Sequence, residues 1–216
     1  MPMSLRHYSL FDKIIIEFDK ALTTIVGNPE TTDRPTPGED LEEGKLSEVE
    51  RKQAASLMRV NHAGEVSAQA LYQGQALTAR LPEVREAMEI AAREENDHLV
   101  WCQQRLDALS SHTSVLNPLW YVGSFTLGAI AGKIGDKWSL GFVAETEKQV
   151  IEHLDSHLKV ISEQDRKSRA VLEQMKVDEA RHGTKALEAG GAELPVPVTK
   201  LMGVVSKIMT RSSYWI

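Results

Sequence analysis

Apolar and polar positions alternate with a helical period over most of the chain, and no run reads convincingly as a strand. In the first stretch, Phe11, Ile14, Ile15, Phe18, Leu22 and Ile25 fall on one stripe, with Asp12, Lys13, Glu17, Asp19 and Lys20 between them. This predicts a short amphipathic helix, stopped by Gly27-Asn28-Pro29. The pattern then lapses. Residues 30–45 are rich in Pro, Thr, Gly and acids and read as a mobile linker. Ser47-Glu48-Val49-Glu50 has the form of a capping box and opens a long helix to about Arg80. Pro82 suits the first turn of the next, which runs to about Leu109. Asp136 is expected to cap a third, to about Ser162. A fourth starts near Asp165 and stops at Gly190-Gly191. Two tight hairpins of long helices predict an all-α four-helix bundle. The expected segments are a helix at 1–27, a linker at 28–46, a bundle at 47–191 with a crossover at 112–135, and a terminal helix at 192–216.

The crossover and the C-terminus are unusual. Residues 113–132 carry no charge over 20 positions, a length that could span a bilayer. Asn117-Pro118, Gly123, Gly128 and Gly132 interrupt that run, which favours a packed crossover or a segment dipping into a membrane surface. In the last segment Val198, Leu201, Met202, Val205, Ile208 and Met209 form one stripe, with Lys200, Lys207 and Arg211 off it and Tyr214-Trp215-Ile216 at the end. A basic amphipathic helix of this kind suits a membrane interface or a docked position on the bundle. The first helix is open to the same two readings, a packed lid or a membrane or partner contact.

Composition narrows the partners. A chain of 216 residues with a net charge of −6 has no general affinity for nucleic acid. The single cysteine, Cys102, excludes an intramolecular disulfide and a Cys-based zinc site. Acids and bases run through the apolar pattern of the first 25 residues, so no secretory leader is expected.

The chemistry lies in acids that fall on apolar stripes. In the second bundle helix the stripe is Met88, Ala91, Ala92, Leu99, Cys102, Leu106 and Leu109, and Glu95 and His98 lie in it. In the fourth, Glu179 and His182 share a stripe with Leu172, Met175, Ala186 and Leu187. In the third, Glu147 is centred among Leu140, Val143, Val150, Ile151, Leu154, Leu158 and Ile161, whereas Glu145 falls on the polar side. In the first, Glu65 shares a weaker stripe with Met58, Ala68 and Tyr72. Residues three apart on a helix share a face, so each Glu-x-x-His pair can grip one ion. A buried lone carboxylate is costly, and four that converge repel one another unless cations lie between them. One Glu and then one Glu-x-x-His per hairpin, twice, matches the ligand set of ferritin-like di-iron and di-manganese bundles. The expected metal ligands are Glu65, Glu95, His98, Glu147, Glu179 and His182, with Glu95 and Glu179 bridging two ions. Oxygen and imidazole donors suit iron or manganese. Asp178 and Glu94, each preceding a ligand Glu, are expected to reach the His of the opposite hairpin. His153 reads as an outer partner, a relay or an exposed histidine.

The runs Arg59-Val60-Asn61-His62-Ala63-Gly64-Glu65, Ala70-Leu71-Tyr72-Gln73-Gly74-Gln75, His112-Thr113-Ser114-Val115-Leu116-Asn117-Pro118 and Asp178-Glu179-Ala180-Arg181-His182 resemble the demethoxyubiquinone hydroxylase family. The resemblance covers about Ser47 to the C-terminus. It implies a ferritin-like monooxygenase of ubiquinone biosynthesis that uses two iron ions and O2 to hydroxylate the ring of a polyprenyl methoxy-benzoquinol. It also implies a role in reduction for His153, and a peripheral place on the bacterial inner membrane at its cytoplasmic side, or on an organelle inner membrane at the matrix side. Its partners would be the membrane quinol, the membrane surface, an external electron donor and other ubiquinone-biosynthesis proteins. The absence of a dinucleotide or flavin motif fits an external donor. A ferritin-like ferroxidase or store, and a non-catalytic quinone-binding helical protein, are the rival readings.

Overall fold

The computed structural model describes residues 9–26 and 29–216. Among the described residues seven helices follow in order: α1 Leu10–Val26, α2 Glu48–Thr78, α3 Pro82–Ala108, α4 Asn117–Ile134, α5 Asp136–Val160, α6 Arg166–Glu188 and α7 Val196–Trp215. No strand occurs among the described residues. Helices α2, α3, α5 and α6 form the ferritin-like bundle as two hairpins, and α4 is the crossover.

The local stops and starts have plain causes. Ser47 accepts from the Glu50 amide while Glu50 takes the Ser47 amide at 2.9 Å, closing the capping box of α2. Asp165 accepts from the Ser168 amide at 3.1 Å and opens α6. Gly190 takes φ +97 at the end of α6, and the Gly191 amide bonds back to the Ala186 carbonyl. One expected cap is absent. Asp136 is the first residue of α5 and accepts from the amides of Arg80 and Leu81, at 3.0 and 2.9 Å. It therefore ties the α2–α3 turn to the start of α5. The expected stop of α1 at Gly27-Asn28 lies outside the described residues.

The weak stripe of α2 has a structural reason. Of its 31 residues, 20 are buried, because α3, α4, α5 and α7 all pack against it. A helix surrounded by neighbours has no solvent face and so no amphipathic contrast. The contact with α4 is a close backbone crossing. A Cβ built at Gly128 would stand 2.2 Å from the Leu71 carbonyl oxygen, and one at Gly74 would stand 2.2 Å from that of Phe125. Two of the glycines that interrupt the uncharged run, Gly128 and Gly132, are thus positions where α4 meets α2. No described helix is long and apolar enough to cross a membrane.

Both terminal segments dock on the bundle. Ala21 and Ile25 of α1 pack beside Val66, Ala70, Leu99 and Tyr121, while Phe11, Ile15 and Phe18 remain exposed. The end of α7 is pinned by Arg59, which donates to the carbonyls of Tyr214 and His112, and by Ser114, which donates to the Ile216 carbonyl. The expectation of a mobile linker is corrected. Thr32, Arg34, Thr36 and Glu43 hydrogen-bond to Asp97, Asp178, Gln104 and Arg105, so the segment lies along α3 and α6. These partners are far apart in sequence, and only the fold brings them together. Leu187, assigned to the apolar stripe of the fourth bundle helix, is 51% exposed and is likewise corrected.

Candidate metal centre

The bundle has two apolar cores with a polar belt between them. One core gathers Met58, Trp101, Cys102, Leu106, Leu154, Leu172 and Met175. The other gathers Tyr72, Val84, Met88, Leu140, Val143 and Ala186. In each bundle helix the candidate acid falls between these two layers: Glu65 between Met58 and Tyr72, Glu95 between Met88 and Cys102, Glu147 between Val143 and Leu154, Glu179 between Met175 and Ala186. Apolar contacts above and below thus drive all four carboxylates to one level.

All six expected side chains meet there, and all are buried. They form two overlapping groups, Glu65–Glu95–His98–Glu179 and Glu95–Glu147–Glu179–His182, and within each the donor atoms lie within 4.8 Å of one another. Glu95 and Glu179 belong to both. The His98 Nδ1 atom is 2.9 Å from Glu95, 3.2 Å from Glu179 and 3.5 Å from Glu65. The His182 Nδ1 atom is 3.1 Å from Glu95 and 3.2 Å from Glu179.

The outer partners cross between hairpins. Asp178 Oδ2 lies 3.1 Å from His98 Nε2, and Glu94 Oε2 lies 2.5 Å from His182 Nε2. Each imidazole is thereby held with its Nδ1 toward the carboxylates. Two further groups were not evident as partners from sequence. The Tyr72 hydroxyl donates to Glu147 Oε1; its place seven residues after Glu65, on the same face, was the available signal. Arg34 bonds to Asp178, and nothing in its local sequence announces that contact.

The electrostatics show what the protein alone leaves unsettled. Burial pushes the Glu65 and Glu147 carboxyls well above their ordinary range, and the neighbouring carboxylates push in the same direction. Burial also raises Glu95, but His98 and His182 outweigh it and hold that carboxyl low. Burial opposes the charge on His182, yet Glu179 and Glu95 lift its imidazole to about 11. Oε2 of Glu65, Oε1 of Glu95 and Oε2 of Glu147 are buried without a hydrogen-bond partner. Glu95 Oε1 is 3.1 Å from His182 Nδ1 but makes no hydrogen bond to it. Buried acceptors without donors are rare and costly. Divalent cations within this shell would satisfy the free oxygens and offset the repulsion, so the donor set fits a metal centre.

Two cavities reach this centre from different sides. One, of about 330 Å³, lies among α2, α4, α5 and α7 and touches Glu65; Leu71, Phe142, Val150 and Met202 are among its walls. His153 lines it, stacked edge-on against His157 at 3.9 Å between ring centroids. The structure thus places His153 at the cavity wall rather than within the carboxylate cluster. The second cavity, of about 220 Å³, touches Tyr72, Glu94 and His182.

His62, three residues before Glu65, is buried near Asn117, and burial lowers its imidazole to about 4 from 6.5. The unfolded chain takes up this proton near pH 6.5 and the folded chain only near pH 4, so stability falls as pH drops through that window. In metal-free protein, the pH 7-to-4 loss measured by urea unfolding is expected to shrink by about 3 kcal/mol in His62→Asn.

The sequence model for the family described as ubiquinone biosynthesis protein COQ7 matches residues 52–213. A 3-demethoxyubiquinol 3-hydroxylase from Nitrosococcus oceani is 65% identical over 211 residues, covering 98% of this chain and 99% of the relative. Relatives bearing the same description in Stutzerimonas stutzeri and Nitrosomonas eutropha are each 57% identical, over 99% and 95% of this chain and 99% and 98% of their own length. With the matched region running from the first turn of α2 into the last turn of α7, the chain belongs to the COQ7 family of ubiquinone biosynthesis proteins.

Proposed function

We propose that this chain is a 3-demethoxyubiquinol 3-hydroxylase, an O2-dependent di-iron monooxygenase acting on the ring of a polyprenyl methoxy-benzoquinol. The observation that carries this reading is the contact between the 330 Å³ cavity and Glu65. An apolar space the size of a substituted quinol ring ends at a carboxylate of the metal cluster. Glu65, Glu95, His98, Glu147, Glu179 and His182 would hold the two iron ions. Bound there, iron would supply the redox chemistry for O2 reduction and ring hydroxylation, with electrons from an external donor.

The protein residues do the rest. Leu71, Phe142, Val150 and Leu154 exclude water around the ring. Asn61, Ser67 and Gln149 offer polar atoms in the same cavity that can orient the quinol hydroxyls. Burial lowers the His153 imidazole to about 4, so it faces the cavity neutral and can hydrogen-bond a quinol hydroxyl. Tyr72 donates to one oxygen of Glu147 and leaves the other for metal.

Exposed apolar side chains support a membrane-facing mouth. Leu201 and Val205 of α7 and Leu127 of α4 line the cavity at its exposed rim; Ile208 of α7, and Leu119, Val122 and Ile130 of α4, extend the apolar surface. Such a surface suits peripheral binding to the cytoplasmic face of an inner membrane, where a quinol with an isoprenoid tail resides. Electrons come from an external donor, and other ubiquinone-biosynthesis proteins are natural neighbours on that membrane.

Complementation tests the reading. In a strain that lacks the hydroxylase and accumulates the demethoxy precursor, this chain is expected to restore ubiquinone. Gly64→Leu provides the cavity test, since a Cβ at Gly64 meets nothing within 4 Å and the position lines the cavity. The purified variant should retain iron and raise the KM for quinol by about tenfold or more, the scale of a lost apolar subsite. Full iron, good expression and no conversion of the quinol by the wild-type chain would overturn the assignment.

A further inference from the structure

The two halves of the centre are alike in sequence and unlike in surroundings. Glu94 precedes Glu95 as Asp178 precedes Glu179, and each reaches across to one histidine. Asp178 is 2% exposed and receives bonds from Arg34, Gln174 and Arg181. Glu94 is 21% exposed; among the described residues its only other bond is from Arg181, and it borders the 220 Å³ cavity that touches His182.

The difference comes from segment 29–36. The Thr32 amide and hydroxyl donate to the two oxygens of Asp97, at 2.7 and 2.5 Å. Arg34 Nε donates to Asp97 Oδ2 at 2.6 Å, and one terminal nitrogen of Arg34 donates to Asp178 Oδ2 at 2.7 Å. The guanidinium stands 4.8 Å over the Trp101 ring, which lies 5.3 Å from the His98 ring. Asn96 donates to the Glu30 carbonyl and holds the near end of the segment. Arg34 therefore braces α3 to α6 and fixes the carboxylate that orients His98, whereas Glu94 behind His182 is held by the more exposed Arg181, which it shares with Asp178.

We propose that segment 29–36 is a strap that makes the two metal positions inequivalent. Arg34, acting through Asp178, retains the ion at His98, while the ion at His182 is the one that loads and exchanges. Arg34 is a positioning residue: it touches neither metal nor quinol. The inference rests on the di-iron reading above. Its chemical basis is general, because removing an outer partner of a metal-bound histidine lowers metal affinity by about 10- to 100-fold.

Iron release decides it. Protein loaded anaerobically with Fe(II) is mixed with a colour-forming ferrous chelator, and release is followed by absorbance. The wild-type chain should release iron in two phases of equal amplitude whose rates differ by about tenfold or more. Arg34→Met should accelerate the slow phase by about that factor and leave the fast phase unchanged. Arg34→Lys should fall between, because one ammonium cannot fork to two carboxylates. Glu94→Gln should alter the fast phase alone. Thr32→Val, which removes one strap contact and leaves Arg34 in place, provides a second test if Arg34→Met fails to fold, and it should also speed the slow phase. A single phase in the wild type, or a slow phase unmoved by both strap variants, would overturn the proposal. A chain that takes up no Fe(II) at all would instead defeat the di-iron reading.

Discussion

Glu179→Ala should leave a folded bundle without a working centre. Glu179 is 1% exposed and lies in both groups of converging donors, so its loss removes a donor from each metal position at once. Loss of an outer partner already costs about 10- to 100-fold, so loss of a shared carboxylate should reduce quinol hydroxylation by more than about a hundredfold. Iron per chain, measured on the purified protein, should drop in parallel, and complementation should fail. Folding should survive, because removing one of four mutually repelling buried acids relieves repulsion in the metal-free state. Circular dichroism would check this. Full iron content with undiminished turnover would place the chemistry elsewhere.

The second large effect is on stability and separates two glycines in one helix. At Gly128 an added Cβ would stand 2.2 Å from the Leu71 carbonyl oxygen, and backbone cannot rotate away as a side chain does. Gly128→Ala must push α4 off α2, and overpacking of this kind costs about 1–3 kcal/mol or more. At Gly123, five residues earlier, an added Cβ meets nothing within 4 Å. There the substitution only restricts the unfolded chain and improves helix propensity, a gain of up to about 1 kcal/mol. Thermal melts should therefore move in opposite directions, by about 2–4 °C for each kcal/mol in a chain of this size. Equal shifts would show that α4 does not cross α2 at Gly128.

The different outcomes at the two positions bear on what a pattern can reveal. Read along the chain, Gly123 and Gly128 look the same, as interruptions in an uncharged stretch. Only the neighbour across the helix interface distinguishes them. Likewise, the weak stripe around Glu65 is a property of a helix enclosed on all sides, which periodicity reports as an absence of signal. The linker shows the limit most clearly. Its composition is that of a mobile segment, yet Arg34 pairs with acids 63 and 144 residues away. No local signal could show that those acids come together.

Much of the centre was nevertheless written in the sequence. Four helices each carry an acid within an apolar stripe, and two of those acids are followed by histidine at i+3. Those spacings alone fix which side chains face inward, because helix geometry is set by the backbone and varies little with context. The ferritin-like class, the six inward-facing donors and the two hairpins follow from that rigidity. Tertiary structure decided the remainder: where Tyr72 and His153 sit, how Arg34 reaches Asp178, and how the strap covers one half of the centre. These depend on contacts between residues distant in sequence. Such contacts arise from the packing of whole helices and leave no periodic trace in any one of them.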